Sequence, residues 1–498
     1  MATFVQNFKK DTMSSDIKQL QPQGLWANFA ALNAVPRASK KEDRVIQFAK
    51  KFGENLGLET LVDEVGNVII KKPAAPGMED RKKVVMQSHL DMVHQKNADT
   101  DFDFDTQGID MYIDGDWVKA RGTTLGADNG IGVATIMAIL ESKDIEHPAI
   151  EALFTIDEET GMTGAMGLKG GLLDGEILLN LDTEEDDEIG VGCAGGVDIT
   201  ATRSFKMERT PEMMSGYTIT VKGLQGGHSG MDIHKGLGNA NKIMNRLLFD
   251  GFENFGLRIS EIDGGGLRNA IPRESRANVA VETVHEDVFL MEMSDLAQAI
   301  KKELKTMEPD LQIMVSKSET PETVMDLGVQ EGLTKALYAA VNGVYRMSAD
   351  IPDLVETSNN IARVMVENGN LKIMCLTRSS VESSKTDLAN ALRATFELIG
   401  CDVELSGDYP GWTPNMESPI LKVMTALYEK INGEKPHVAA CHAGLECGIL
   451  GQNYPGMDMI SFGPNIKGAH SPDERVQISS VQKYWKFVLE ILKNIPKK

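Results

Sequence analysis

Three apolar segments in the first part of the chain run directly into acidic or histidine side chains. They are VVMQSHLD (84–91), IEALFTIDEE (150–159) and EILLNLDTEE (176–185). Helix-like segments alternate with them, including TLGADNGIGVATIMAILES (124–142), which enters its helix from a glycine-rich turn. Apolar strands that alternate with helices predict an α/β domain with a mainly parallel central sheet. Because the carboxyl ends of parallel strands meet along one edge, where ligands gather, these polar side chains should lie together.

The strand end at His89 is compatible with a metal ligand. A strand sends alternate side chains to the same face, so His89 and Asp91 should point the same way. That arrangement suits an imidazole ligand held by a neighbouring carboxylate, and it suits a polar surface turn as well. Further strand ends and turns add imidazole and carboxylate groups of the types that bind zinc and similar ions, with no thiolate among them: Asp128, Glu158, Glu159, Asp182 and His470.

Length and charge limit the class of protein. A chain of 498 residues is too long for one ordinary core and predicts two or more domains. The formal net charge of −22 opposes binding to nucleic acids and anionic membranes. No apolar run is long enough to span a bilayer, and the N-terminal MATFVQNFKKDTMSS lacks the apolar core of a secretory signal. Five scattered cysteines are typical of reduced thiols, so a cytoplasmic location is expected.

Five motifs in order carry a resemblance to a known family. SHLDMV, GADNG, DEETG, LDTEE and GAHSPDE resemble the motifs of the M20 metallopeptidases, which are grouped with aminoacylases, carboxypeptidase G and carnosine-splitting dipeptidases. Within that family, GGHSGMDIHKGLGNA, GGGLRNAIPRE, CLTRSS and CHAGLECG are similar to the bacterial aminoacyl-histidine dipeptidases. The resemblance covers nearly the whole chain and implies a metal-dependent hydrolase acting on peptide bonds.

The resemblance implies two divalent metal ions in each chain. One would be held by His89, Asp128 and Asp182, and the other by Asp128, Glu159 and His470, with Asp128 as the bridge. Zinc is the expected metal, with cobalt and manganese as alternatives, because carboxylate-rich pairs accept all three. Two catalytic roles follow the same pattern: Glu158 as general base and Asp91 as the group that orients His89.

Four further residues are assigned to substrate binding by the same resemblance. His228 in QGGHSG would stabilise the developing oxyanion, and Asn269 in LRNAIP would contact a substrate carbonyl or carboxylate. Arg378 in CLTRSS would pair with a substrate carboxylate, and Glu446 in CHAGLECG would bind a substrate amine. On the residues alone, a surface histidine, a turn asparagine and a solvated arginine are equally compatible with these patterns.

The distance between the motifs predicts an inserted domain. His470 stands far beyond the other ligands. Near residue 196 the sequence changes to longer strand-like segments rich in Thr and Val, and near residue 408 it returns to α/β character. We therefore predict a two-domain chain, in which a catalytic α/β domain (1–195 and 408–498) is interrupted by an α+β lid domain (196–407). The order of elements in 327–400 raises the prospect that the lid consists of two related halves.

Three functions remain open at this stage. The first is a dipeptidase that hydrolyses Xaa-His and other unblocked dipeptides, and the second is an N-acyl amino acid deacylase of the same family. The third is a noncatalytic binding relative, which the complete set of ligand residues disfavours. CHAGLECG and GGGLRNAIP favour the dipeptidase, with small peptides as substrates. A monomer and a homodimer through the lid are both compatible with the sequence.

Overall fold

The computed structural model describes residues 16–498. The N-terminal segment on which the absence of a secretory signal was predicted lies outside the described residues. The chain divides into two compact units. The first contains the described residues up to Gly192, together with Pro414–Ala440 and Glu446–Lys498, and the second contains Cys193–Thr413 and Cys441–Leu445. The predicted domain boundaries at 195/196 and 407/408 lie near these divisions, and the assignment of a lid remains a proposal.

The strands and helices follow one another in a mixed order. The strands are β1 (Glu59–Val62), β2 (Val68–Lys72), β3 (Val84–His89), β4 (Met111–Asp114), β5 (Trp117–Ala120), β6 (Ile150–Thr155), β7 (Ile177–Asn180), β8 (Glu188–Cys193), β9 (Gly195–Ser204), β10 (Glu208–Arg209), β11 (Met214–Lys222), β12 (Arg258–Gly265), β13 (Ser275–Glu282), β14 (Gln312–Ser318), β15 (Thr323–Val324), β16 (Gly343–Met347), β17 (Val355–Glu367), β18 (Asn370–Ser379), β19 (Asp402–Tyr409), β20 (His437–Cys441), β21 (Asp458–Ser461), β22 (Ile466–Lys467) and β23 (Arg475–Gln477). The α-helices are α1 (Gln23–Asn33), α2 (Asp43–Asn55), α3 (Ala127–Glu141), α4 (Thr163–Gly167), α5 (Ala240–Phe255), α6 (Glu286–Leu304), α7 (Leu327–Ala339), α8 (Glu382–Glu397), α9 (Pro419–Asn432), α10 (Glu446–Asn453) and α11 (Ile478–Lys493). Two short 3₁₀ helices cover Ile233–Lys235 and Thr283–His285.

The main sheet of the first unit is parallel at its centre. Its order is β1-β2-β6-β3-β7-β21-β8-β20, and the neighbours β6, β3, β7 and β21 run parallel to one another. Every residue of β3, β6 and β7 is buried, as expected for strands covered on both faces. The prediction of an α/β domain is therefore confirmed, with a sheet that is parallel at its centre and antiparallel at β1, β2 and β8.

The register of these strands brings their carboxyl ends together. Val84 of β3 pairs with Ile150 of β6 and with Ile177 of β7, so the three strands start side by side. They are also short and similar in length, and consequently they end at the same edge of the sheet. The motifs that follow β3, β6 and β7 must therefore share that edge.

Two further elements complete the edge. Helix α3 is almost entirely buried, and the residue before it, Gly126, has the left-handed φ of 70° that favours glycine. A smaller, separate sheet of order β22-β23-β5-β4 belongs to the same unit, and the loop between β22 and β23 carries His470. The GADNG and GAHSPDE motifs thus sit at an entry to a helix and in a loop between two strands.

The second unit is built on an antiparallel sheet. Its order is β14-β11-β13-β12-β17-β18-β9-β19, with β16 paired to β17, and every pairing in it is antiparallel. Helices α5, α6, α7 and α8 contribute buried apolar side chains to the same core. Strands with helices packed on them form an α+β unit, as predicted for the insert. None of the helices within residues 16–498 has both the length and the apolar character needed to cross a bilayer.

Candidate metal and active site

The first group of candidate metal ligands joins three motifs. His89 ends β3, Asp182 follows the end of β7, and Asp128 lies at the start of α3. His89 Nε2 is 3.2 Å from Asp128 Oδ1 and 3.6 Å from Asp182 Oδ1. One donor atom from each of the three lies within 4.8 Å of the others, which is close enough to hold one metal ion. The structure thus brings together three residues predicted as ligands.

The second group shares Asp128 with the first. His470 Nε2 is 3.1 Å from Asp128 Oδ2 and 2.9 Å from Glu159 Oε2, and these donor atoms also lie within 4.8 Å of one another. The two oxygens of Asp128 therefore face different imidazoles, Oδ1 toward His89 and Oδ2 toward His470. A carboxylate placed in this way has the arrangement of a bridge between two metal ions.

The electrostatics of the cluster favour added positive charge. Burial opposes a charge on His89, but the carboxylates of Asp182, Asp128 and Asp91 outweigh it and raise the pKa of His89 well above its usual value. Hydrogen bonds to Asp128 and Glu159 raise the pKa of His470 to about 11. Both imidazoles therefore take up protons when no other cation is near the carboxylates. Divalent metal ions would supply that charge and leave the imidazoles as neutral ligands.

The donor set fits divalent metal ions. It consists of carboxylate oxygens and imidazole nitrogens, with no thiolate. Glu159 Oε1 is buried and has no hydrogen-bond partner among the described residues, an arrangement that costs free energy unless a cation or another donor satisfies it. Burial and the nearby carboxylates of Asp128 and Glu159 raise the pKa of Asp182 to about 6, although the charge of His89 opposes this. His89, Asp128 and Asp182 would hold one ion, and Asp128, Glu159 and His470 the other.

Asp91 connects the ligand motifs through its carboxylate. It has no exposed surface, and its Oδ1 lies 3.4 Å from Nδ1 of His89. The same carboxylate accepts hydrogen bonds from the backbone N–H groups of Glu158 at 3.1 Å and Glu159 at 3.3 Å. The Ser39 hydroxyl donates to its other oxygen at 2.8 Å. The predicted contact with His89 is present, and Asp91 also fixes the turn that carries Glu158 and Glu159.

Glu158 lies beside the candidate ligands, in a turn of unusual conformation. A carboxylate oxygen of Glu158 falls within 4.8 Å of donor atoms of His89 and Glu159. Burial, reinforced by nearby carboxylates, raises its pKa well above the usual value, although the charge of His89 opposes this. Asp157, directly before Glu158, has a left-handed φ of 57°, and Met162 has a left-handed φ of 50°.

In the second unit, His228 is held in a defined tautomer. Its Nδ1 accepts hydrogen bonds from the backbone N–H groups of Gly230 at 3.2 Å and Met231 at 3.0 Å. Nδ1 therefore carries no proton, and the proton of the neutral ring is on Nε2. Burial and then the charge of Arg378 lower the pKa of His228 to about 4. The loop thus presents a neutral imidazole with an N–H donor.

Arg378 is a buried cation beside this histidine. It is 4% exposed, its terminal nitrogen donates to the Tyr409 hydroxyl at 2.7 Å, and another terminal nitrogen lies 3.5 Å from Nε2 of His228. No carboxylate of the described part of the second unit forms an ion pair with Arg378, and its Nε has no hydrogen-bond partner there. A buried guanidinium without a carboxylate partner is suited to bind an anionic group of a ligand.

The other two predicted substrate residues have contrasting environments. Asn269 is exposed on a loop, and the buried Asn360 side chain donates to the carbonyls on either side of it, Arg268 O at 3.1 Å and Ala270 O at 2.8 Å. Glu446, in the first unit, is 0% exposed, and its carboxylate accepts hydrogen bonds from Gln87 and Thr155, each at 2.6 Å. A side chain without accessible surface cannot meet a substrate amine in this conformation.

Glu446 therefore needs a different interpretation from the predicted amine contact. Burial raises its pKa to about 8, which favours a neutral carboxyl group at neutral pH. Gln87 in turn accepts a hydrogen bond from Asn180 at 2.5 Å, and so Glu446 belongs to a polar network between β3 and β7. We propose that it supports the strands beneath the ligands, because it is buried and bonded to Gln87 and Thr155.

Sequence reasoning missed several residues that contact the site. Arg37 and Glu474 hold the backbone around Asp128, and Tyr409 holds Arg378. Glu474 ends the GAHSPDE motif and could have been singled out there. Arg37 and Tyr409 lie in segments without a motif, and their contacts depend on residues far away in the chain, so no local signal marks them.

The chain is similar to known peptidases. The profile of peptidase family M20/M25/M40 matches residues 85–494. The chain is 43% identical to the cytosol non-specific dipeptidase of Escherichia coli (strain K12), over 97% of this chain and 100% of that protein. It is 45% identical to aminoacylhistidine dipeptidase from Vibrio alginolyticus, whose crystal structure superposes with a TM-score of 0.91 and covers 97% of this chain and 98% of that one.

A more distant structure shows the same fold. Aminopeptidase PepT from Bacillus cereus ATCC 10987 is 17% identical, with a TM-score of 0.55 and coverage of 96% of this chain and 99% of that chain. The family, the fold class and the enzyme class predicted from the motifs, a hydrolase of peptide bonds, are confirmed by these comparisons. From its length of match and its identity to these relatives, the chain belongs to peptidase family M20/M25/M40.

Proposed function

We propose that the protein is a metal-dependent dipeptidase that hydrolyses Xaa-His and other unblocked dipeptides. The observation that carries this proposal is the placement of Asp128, whose two oxygens face His89 and His470 in two overlapping groups of ligands. The relatives named as a cytosol non-specific dipeptidase and an aminoacylhistidine dipeptidase support the choice of substrate. The proposed cofactor is a pair of divalent ions, with zinc as the first choice and cobalt or manganese as alternatives.

Glu158 is the proposed general base. Ions bound at these ligands would polarise the scissile carbonyl group and lower the pKa of the attacking water. A carboxylate oxygen of Glu158 takes a proton from that water and then delivers it to the nitrogen of the leaving amine. Burial supports this role, because a carboxylate of raised pKa is a stronger base than an exposed one. Asp91 keeps the backbone of Glu158 and the ring of His89 in place.

Three residues of the second unit are the proposed substrate contacts. His228 donates its Nε2–H to the carbonyl oxygen as negative charge develops there. Arg378 pairs with the substrate's terminal carboxylate, which supplies the anionic partner that this buried guanidinium lacks in its own unit. Asn269, exposed on its supported loop, donates its amide to a substrate carbonyl or carboxylate. These contacts select short peptides with a free carboxyl end.

The proposed setting is the cytoplasm. It is supported by the name of the Escherichia coli relative and by the small number and scattered positions of the cysteines in the sequence. Small peptides are the proposed partners, and a homodimer and a monomer both remain compatible with this function.

The test is amino acid release by purified, zinc-loaded protein. β-Alanyl-histidine and alanyl-histidine serve as dipeptides, N-acetylhistidine as the blocked analogue, and EDTA-treated protein as the metal-free control. Cleavage of the dipeptides alone, lost with EDTA and restored by zinc, is the expected result. Cleavage of N-acetylhistidine alone would assign the protein to the deacylases instead. Cleavage that persists after complete metal removal would contradict the proposed chemistry.

A further inference from the structure

Glu474 accepts hydrogen bonds from consecutive backbone N–H groups around the candidate bridging ligand. Its side chain is buried, with 2% exposed surface. Oε2 accepts from Leu125 at 2.7 Å and Gly126 at 2.9 Å, and Oε1 accepts from Ala127 at 2.7 Å and Asp128 at 3.2 Å. Both carboxylate oxygens are thus used to hold the segment that presents Asp128.

Arg37 holds the same segment from another side. One terminal nitrogen of its guanidinium donates to the carbonyl of Gly126 at 2.5 Å. The other terminal nitrogen donates to the carbonyls of Leu90 and Asp91, each at 3.0 Å. The peptide at Gly126 is therefore fixed through its N–H by Glu474 and through its carbonyl by Arg37. Because Leu90 and Asp91 directly follow His89, Arg37 ties the Asp128 segment to the segment of another ligand.

Packing leaves this segment little freedom. Gly126 has a φ of 70°, and a Cβ atom added there would overlap the Arg37 guanidinium and the Met92 sulfur. The backbone at Asp128 itself is not helical, with φ −80° and ψ 110°, although it lies within the span of α3. The carboxylate of Asp128 is therefore positioned by its side-chain and backbone contacts and not by a regular helical turn.

Glu474 also belongs to the segment of a third ligand. It lies four residues after His470 in GAHSPDE, in the connection between β22 and β23. A shift of the Glu474 backbone would move His470 and the Asp128 segment together. Arg37 and Glu474 thus join the three segments that carry His89, Asp128 and His470.

We propose that Glu474 and Arg37 are positioning residues that set the spacing of these three ligands and thereby the affinity for both metal ions. This proposal rests on the proposed function, because it takes the three residues as metal ligands. Glu474 acts through the segment that carries Asp128 and not through contact with substrate. Its contribution is to keep the two oxygens of Asp128 directed at His89 and His470 before any ion binds.

The four backbone N–H groups of residues 125–128 require a side chain that only accepts hydrogen bonds. A carboxylate only accepts hydrogen bonds and has two oxygens, which matches the backbone donors it meets. Glutamine has the same shape but replaces one oxygen by an NH₂ group, which would face N–H donors. Glu474→Gln should therefore release one side of the segment while it preserves the volume of the buried side chain.

The experiment compares zinc binding by Glu474→Gln, the wild-type chain and a neighbouring control. Asp473→Asn is the control, because Asp473 is exposed and its side chain holds no part of the Asp128 segment. Zinc affinity is measured by competition with a colorimetric chelator, and cobalt-substituted samples report ligand geometry through their visible absorption. We expect zinc affinity to fall by about 10–100-fold in Glu474→Gln, with an altered cobalt spectrum and no change in Asp473→Asn.

Turnover at different zinc concentrations separates positioning from misfolding. Activity of Glu474→Gln should rise toward the wild-type value as zinc is added, because excess metal compensates for weak binding. Wild-type zinc affinity and cobalt spectrum in a folded Glu474→Gln would overturn the proposal. A wild-type chain that binds no zinc would instead overturn the proposed function itself.

Arg37→Lys provides a second variant in case Glu474→Gln does not fold, as judged by circular dichroism. Lysine keeps the positive charge but has no planar fork to reach the carbonyls of both segments. Weaker zinc binding by a folded Arg37→Lys supports the positioning role, and unchanged binding contradicts it.

Discussion

Among single residues, Asp128 matters most to the proposed metal site, because it belongs to both groups of ligands. Asp128→Asn retains the size of the side chain but replaces one oxygen by a nitrogen that does not ligate zinc well. We expect zinc content, measured by mass spectrometry of desalted protein, to fall from two ions per chain to fewer than one. Asp144→Asn, at an exposed position, should retain both ions. Two tightly bound ions in Asp128→Asn would show that Asp128 does not bridge.

Tyr409 offers a test of the proposed substrate carboxylate site. Its hydroxyl accepts the hydrogen bond from Arg378, so Tyr409→Phe should loosen the guanidinium without removing the charge. Loss of a hydrogen bond to a charged group costs about 1.5–3 kcal/mol, which predicts a KM increase of about tenfold or more for dipeptides. Steady-state kinetics should show kcat nearly unchanged. Tyr338→Phe, an exposed tyrosine of the same unit, is the control. An unchanged KM in Tyr409→Phe would contradict a role for Tyr409 in positioning Arg378.

The candidate ligands could be predicted from the sequence better than the residues that hold them in place. His89, Asp128, Glu159, Asp182 and His470 meet in the predicted two groups, because each stands at the end of a strand or in a recognisable motif. Glu446 also stands in a motif, but its burial between Gln87 and Thr155 depends on the neighbouring strands. Residue type and local spacing do not reveal burial of that kind.

At the level of elements, the loop of residues 225–231 determines the tautomer of His228. Gly230 in this loop has no room for a side chain, since a Cβ atom there would overlap the backbone oxygen of His442. Gly230→Ala should displace the loop, lower kcat at least tenfold and cost about 1–3 kcal/mol of stability through overpacking. Gly328→Ala, where the added Cβ would lie 3.4 Å from Asp326, should be tolerated. Wild-type kcat and stability in Gly230→Ala would contradict this description of the loop.

The same loop makes a prediction about pH. Burial and the charge of Arg378 lower the pKa of His228 from 6.5 to about 4, so the ring is neutral in the folded protein above that pH. The unfolded chain binds a proton near pH 6.5, and the stability that neutral His228 contributes is therefore lost as the pH falls from 6.5 toward 4. Catalysis should not respond to this titration between those limits.

His228→Gln tests whether protonation of His228 affects stability without affecting catalysis. The variant should have a lower kcat, because the Nε2–H donor is lost, but the acid limb of its pH–kcat profile should keep the wild-type midpoint. The limb then reports other groups, such as Glu158 and the metal ligands. A midpoint that moves by one pH unit or more in His228→Gln would mean that His228 itself titrates during catalysis.

The central strands were easier to predict than the connections between them. Segments rich in apolar residues, such as VVMQSH and IEALFT, predict buried strands, and every residue of β3 and β6 is buried. The conformation of the turn after β6 has no such signal in the sequence, because its left-handed residues, Asp157 and Met162, are not glycines. The Asp157 carboxylate accepts side-chain hydrogen bonds from Lys40, Thr160 and Thr163, and the contact with Lys40 depends on a residue far away in the chain.

At the scale of the whole molecule, the order of the motifs predicted a divided chain. The ligands at 89–182 and the ligand at 470 belong to one compact unit, although a second unit separates them in sequence. The late position of His470 and the change in sequence character near residues 196 and 408 predicted where such an insertion would lie. The fine division at Cys441–Leu445, which belongs to the second unit, could not be predicted, because it depends on contacts formed only in the folded chain.

The central claim is that this chain uses Glu158 as the base for peptide hydrolysis while other residues hold the metal ions. The most direct measurement is kcat for alanyl-histidine by Glu158→Gln, with zinc content determined on the same sample. We expect two zinc ions per chain in both the variant and the wild-type protein, and a kcat of the variant lowered by about 10²–10⁴-fold. A kcat close to the wild-type value with both ions bound would contradict the assignment of Glu158 as the general base.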